Sequence, residues 1–324
     1  MTRFNNVLSI KFKKILFLFL VYLCADSVNA QKNQILPSKV IQVNELKGAE
    51  LFSDLKGRGV VQAHLIVYYS CLSDAPEKEY ISVFESMTNR LVQVLELKKD
   101  TSFVQKNNVS APCFNEQQTC ISQVSYSAGL EVALPYMDYD LTWGYCFFDR
   151  GLINLNNMSK QGFVLTNHLF NPSNAEINTM PSLQRMSGQY LCNNSSISFE
   201  TALNNTDSDE VSFHLIAPFF YADGVKYNYA APEKGVDVAK AFSNPVYVGS
   251  FLTNQPPFET VQYAKGYSAE KIFQTGNFSI NHRTGKVEVK SGSFGKYLIN
   301  ISVKEQRNKK AISDHSVVLI TEIR

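Results

Sequence analysis

Between Asn277 and Arg324, apolar residues recur at every second position, run after run. Phe278 and Ile280 alternate with polar neighbours, and Val287 and Val289 resume the pattern. Tyr297, Ile299, Ile301 and Val303 carry it through a third run, and Val317, Leu319, Thr321 and Ile323 through a fourth. Turn residues punctuate it at Asn281-His282-Arg283-Thr284-Gly285 and again at Gly292 and Gly295. Successive side chains of a strand point to opposite faces, so this period of two reads as half-buried antiparallel strands.

The same pattern recurs upstream. Val60 to Tyr69 reads as a strand with Gln62 and His64 interleaved, and Tyr80 to Phe84 as a shorter one. Leu91, Val92, Val94, Leu95 and Leu97 form doublets that fit either a strand or a helix over 82–97. Lys98 to Ser110 is polar and reads as a loop, and residues 31 to about 58 as a lead-in ending at Gly57 and Gly59. Val124, Tyr126, Ala128, Leu130, Val132 and Leu134 alternate, as do Leu141, Trp143 and Tyr145. Further strands are expected at Ile197 and Phe199 and from Val211 to Ala217, with Pro256-Pro257 in an extended stretch. The chain has 324 residues, enough for about two domains, and is 44% hydrophobic, enough for a real core. A polar stretch from Asn171 to about Ser182 reads as the link between them. The expected fold is therefore all-β: two tandem immunoglobulin-like (cadherin-like) β-sandwich domains over 31–178 and 179–324.

Residues 1–30 read as a secretory signal peptide. Arg3, Lys11, Lys13 and Lys14 precede the apolar run Ile15 to Ala25, and Val28-Asn29-Ala30 offers a cleavage site before Gln31. That run is far shorter than the ~20 residues a membrane helix needs, and no later stretch supplies a transmembrane span. The leader also carries the basic excess. Without its four basic residues and Asp26, the chain's 31 basic and 29 acidic residues become 27 and 28. Nothing in that balance points to nucleic acid. Export to the periplasm, the outer-membrane surface or the medium is the expected localisation.

An oxidising compartment favours disulfides among Cys71, Cys113, Cys120, Cys146 and Cys192. Cys113 and Cys120, seven positions apart, are the first expected pair, with Cys71 and Cys146 as further candidates. No Cys-x-x-Cys pair or His-Glu-x-x-His run suggests zinc. No Gly-x-Ser-x-Gly turn presents a nucleophile. His64 and His214 fall within strand patterns, as packed or solvated strand residues. Asp138 and Asp140 read as a solvated turn rather than a glycosidase pair. Asp207 and Asp209, beside Asn204 and Asn205, put several hard oxygens on one loop, either as a plain polar loop or as a calcium site. Tyr136, Tyr139, Trp143 and Tyr145 cluster before Cys146 and serve either as core or as a stacking platform for sugars.

Several motifs, in order and spacing, resemble a family of Bacteroidota envelope proteins, the gliding-motility-associated surface proteins that carry PKD-type repeats. They include Tyr69-Ser70-Cys71-Leu72, and Cys120 followed by Tyr126, Val132, Leu134-Pro135, Tyr139, Leu141 and Cys146. Later come Gly266-Tyr267-Ser268-Ala269, Ser279-Ile280-Asn281 with Thr284-Gly285, and Val303, Glu305 and Arg307-Asn308. The chain departs from the pattern at Asp207-Ser208-Asp209, which lacks the following Gly-Asp. Ala217 and Ile301 stand where the family often has cysteines, which implies that Cys192 has lost its partner. The resemblance implies a non-catalytic envelope protein for adhesion or surface-structure assembly, with a protein or glycan partner and no cofactor beyond a possible calcium. The alternative is a carbohydrate-binding or glycan-acting protein that uses Tyr136 to Tyr145.

Overall fold

A computed structural model describes residues 46–324 apart from 71–74, 107–112, 115–119, 133–136, 147–150, 157–161, 171–176, 185–189, 200–201, 205–206, 208, 221–248, 252 and 254. The signal-peptide region, Cys71 and Tyr136 lie outside the described residues. All named elements are strands. The first seven are β1 (Leu46–Gly57), β2 (Val60–Ser70), β3 (Lys78–Glu85), β4 (Arg90–Lys106), β5 (Cys120–Glu131), β6 (Tyr139–Cys146) and β7 (Gly162–Leu169). Short strands follow: β8 (Asn178–Thr179), β9 (Ser182–Gln184), β10 (Tyr190–Leu191), β11 (Ser196–Phe199) and β12 (Ala202–Asn204). Next are β13 (Glu210–Ile216), β14 (Phe219–Phe220), β15 (Gly249–Phe251) and β16 (Glu259–Thr260). The last are β17 (Gly276–Ile280), β18 (Val287–Ser291), β19 (Gly295–Arg307) and β20 (Lys310–Ile323).

Eight of these strands close into an antiparallel barrel in the order β20-β1-β2-β5-β4-β3-β6-β7, with β7 returning to β20. The alternation dictates what fills it. Val61, Ala63, Leu65, Val67 and Tyr69 of β2 point inward, as do Leu141, Trp143 and Tyr145 of β6 and Phe163, Leu165 and Leu169 of β7. Eight strands leave an interior just wide enough for side chains, and here apolar side chains occupy it.

The closure has an unusual form. One edge of β20 is paired along its length with β19. The opposite edge takes β7 at Ser313 to His315, β1 at Val317 to Leu319, and β10 at Glu322 and Ile323. β1 and β7 therefore meet β20 side by side and then part, so that the seam is a fork. The two faces of the β19–β20 hairpin belong to different cores. Leu298, Val318 and Ile320 join the barrel core. Tyr297, Ile299, Ile301, Val317, Leu319 and Ile323 join a second core under the small sheet β11-β18-β17.

The two-sandwich expectation is thus corrected to one closed barrel with added strands. Alternation identifies a strand and its inward face, but partners are chosen by pairing, and here β20 pairs with β1 across most of the chain. The expected domain edges Asn178 and Thr179 both lie in β8, paired to β1. Three local expectations change as well. Part of the lead-in is β1, whose pattern is broken by a register shift between Leu46 and Gly48. The doublets of 91–97 belong to a strand, and that strand continues through the expected loop as far as Lys106. The Pro256-Pro257 bond is cis. Among the described residues no helix is long and apolar enough to cross a membrane.

The expected Cys113–Cys120 pair is also corrected. Cys113 is bonded to Cys192, with Cα atoms 5.7 Å apart across 79 residues of sequence. Ring contacts bring the two segments together. Phe114 meets Tyr190 edge-on at 5.1 Å, and the Arg324 guanidinium lies 4.8 Å over Phe114. The cysteine that the resemblance left without a partner is therefore paired. Cys120 is also disulfide-bonded, and the side chain of Cys146 lies outside the described residues. A bond closing so long a loop restricts the unfolded chain, so Cys192→Ala is expected to lower stability by about 2–4 kcal/mol. A denaturant midpoint measured beside wild type checks this, and a non-reducing peptide map checks the pairing.

Candidate functional site

Three polar centres are built into this frame. The first lies inside the barrel. Glu79 occupies an inward position of β3, ahead of Ile81 and Val83, and is buried. Trp143 Nε1 donates to its Oε2 at 3.1 Å, and the Tyr69 hydroxyl donates to its Oε1 at 3.4 Å. The Tyr126 hydroxyl donates to the Pro76 carbonyl at 2.8 Å. Burial first, and then the Glu79 charge, push the Tyr69 and Tyr126 phenols far above their ordinary range. Both therefore remain donors. Trp143 packs 5.3 Å from Tyr145 and 6.2 Å from Phe163, ring to ring.

The second centre fills the fork. Glu50 of β1 is fully buried, and its Oε1 accepts the Leu183 N–H at 2.8 Å and meets His315 Nε2 at 3.2 Å. Glu305 of β19 is equally buried. Its Oε2 accepts from Asn178 Nδ2 at 2.8 Å and from Ser313 Oγ at 2.9 Å. Burial holds the Glu305 carboxyl above its ordinary range, and the charge of Asp209 adds to this, while Asn178, Ser313 and His315 act against it. Between β1 and β7, Asn167 Nδ2 donates to Ser53 Oγ at 2.8 Å, and the Ser53 N–H donates to Met180 Sδ at 3.3 Å.

Arg307 continues this centre to the surface. Its Nε donates to Asp209 Oδ1 at 2.7 Å and its Nη2 to Asp209 Oδ2 at 2.6 Å, a bidentate pair. Asp207 Oδ2 accepts the Thr179 N–H at 2.6 Å. The loop read as a possible calcium site thus has a guanidinium as its cation. Among the described residues no group of three or more His, Cys, Asp or Glu is placed to hold a metal ion.

The third centre is half-exposed on the outer wall. Asp140 of β6, His168 of β7 and Asp314 of β20 stand opposite one another across three strands. His168 Nδ1 lies 2.6 Å from Asp140 Oδ1, and its Nε2 lies 3.9 Å from Asp138 Oδ2. Burial lowers the His168 pKa, but Asp140, Asp138 and Asp314 together outweigh it and hold the ring above its ordinary range.

The structure therefore brings Tyr139, Trp143 and Tyr145 together as barrel core, each at most 2% exposed. No sugar can stack on rings so enclosed. Asp207 and Asp209 converge on Arg307. Sequence reasoning misses the roles of Glu50, Glu79, Glu305, His168 and His315. For Glu305 and His315 a signal exists, since both continue inward-facing alternation. No protein-family model matches the chain, and no curated protein matches it.

Proposed function

We propose that this chain is a non-catalytic protein of the cell envelope, exported by its leader, whose barrel is a rigid body that binds a protein or glycan partner through its outer wall and hairpin tips. One observation carries the reading: the groups with chemical potential are spent on structure. Glu79 is bonded to Trp143 and Tyr69, Glu50 to His315, and Asp209 to Arg307. The Cys113–Cys192 bond suits an oxidising compartment, and the motif resemblance to envelope proteins points the same way. Glycan binding through the Trp143 cluster finds no support in its burial, so contact falls to exposed residues such as Met87 at the β3–β4 tip, 82% accessible.

Fractionation of cells carrying an epitope-tagged chain tests this. The product is expected in the envelope or periplasmic fraction, shortened by its leader and with Cys113–Cys192 oxidised. Retention in the cytoplasm with the leader intact would overturn the export. Turnover of a substrate that Asp140→Asn abolishes would overturn the non-catalytic assignment, because Asp140–His168 is the half-exposed acid–base pair of the outer wall.

A further inference from the structure

We propose that His214 and His282 form a two-point binding site for a borderline divalent cation, zinc being the natural occupant. His214 lies on the exposed face of β13, and His282 in the turn between β17 and β18. Their ring centroids are 5.5 Å apart, with planes inclined at 43°. An imidazole nitrogen binds zinc at about 2.0–2.1 Å, which puts the ring centre about 3.2 Å from the ion. Two such rings on one tetrahedral ion then have centres about 5.2 Å apart. The observed spacing exceeds that by a few tenths of an ångström.

The pair is held in place by backbone rather than by chance approach. The Phe213 N–H donates to the His282 carbonyl at 2.9 Å, tying the turn to the strand beside His214. Asn281 Oδ1 accepts the N–H groups of Arg283 and Thr284, each at 2.9 Å, which fixes the turn around His282. His214 Nε2 meets a hydroxyl, Ser212 Oγ, at 3.3 Å, in the contact that a metal would replace. Lys304 is the nearby opposing charge, and Asp314 offsets it at 3.4 Å. With two imidazoles and no third side-chain ligand among the described residues, water completes the coordination. Imidazole nitrogen suits zinc, nickel and copper over magnesium or calcium.

The test is isothermal titration of the mature, oxidised chain with zinc chloride and, separately, with magnesium chloride at pH 7.5. Saturable binding of one zinc per chain is expected, without binding of magnesium. His214→Ala and His282→Ala are each expected to weaken it at least tenfold, and titration at pH 5 to abolish it, because protonated imidazole cannot ligate. Both residues are exposed, so circular dichroism of the variants should match wild type. Zinc uptake by the double variant equal to that of wild type would overturn the site, as would loss in neither single variant.

Discussion

Trp143→Ala is expected to cost about 4–8 kcal/mol, a large share of the roughly 5–15 kcal/mol that holds a typical domain together. Two separate losses add up to this. Removing the indole from a fully enclosed position leaves a cavity, at about 3–5 kcal/mol. It also removes the Nε1–H donor from Glu79, buried inside the barrel, at a further cost of about 1–3 kcal/mol. Trp143→Phe separates the two, since it keeps a ring and loses the donor. Combining Trp143→Phe with Glu79→Gln should then recover part of the loss, because an uncharged amide is cheaper to leave short of a donor. Denaturant midpoints for the two single variants and the double give the coupling, expected at about 1 kcal/mol or more. If the double variant is additive, the indole acts by volume alone. Trp143 is the chain's one tryptophan, so wild-type fluorescence reports this interior directly. Its emission should be shifted to the blue and should move to the red in a single transition with unfolding.

The inward faces are legible in the sequence because alternation is a local property. Val124 and Tyr126, Leu141 and Trp143, and Ile299 and Ile301 all read as strand residues, and all are buried. Closure is not legible. A sandwich and a barrel present the same period of two, and the difference lies in which distant edges meet. Here it rests on three residue pairs between β20 and β1 and three between β20 and β7. β1 itself is hidden. Lys47 and Glu50 are both buried, and a register shift splits the run, so its polarity resembles a lead-in. The polar centres are half legible. His315 shares a face with Val317 and Leu319, and Glu305 continues Ile301 and Val303, so each is a polar group on an inward stripe. Glu50 has no such stripe to mark it. The Cys113 pairing is beyond reach for a simpler reason. Nearness in sequence does not decide a pairing, and the contact of Phe114 with Tyr190 sets Cys113 beside Cys192.

The fork should respond in opposite directions to His315→Ala and to Glu305→Gln. His315→Ala leaves buried Glu50 Oε1 without its imidazole partner, and leaving a buried polar group short of a partner costs about 1–3 kcal/mol. Glu305 behaves otherwise, because its folded-state pKa lies above the unfolded value of 4.5, through burial first and the charge of Asp209 second. Below pH 4.5 both states hold the proton, and Glu305 costs nothing by ionising. Between pH 4.5 and the folded pKa the native state keeps a proton that the unfolded state has released, so stability falls as pH rises. Above the folded pKa the penalty stays constant. Glu305→Gln abolishes this titration while its amide oxygen can still accept from Asn178 and Ser313. The variant should match wild type near pH 4, gain on it through the window above 4.5, and stay ahead at pH 8. Urea midpoints at half-unit pH intervals measure the slope in both proteins. Glu305→Gln falling below wild type at pH 8 would mean that the ionised carboxylate, with His315 beside it, holds the fork together. The opposite outcome makes the Glu305 site of β19 a contact that tightens as the surroundings turn acidic.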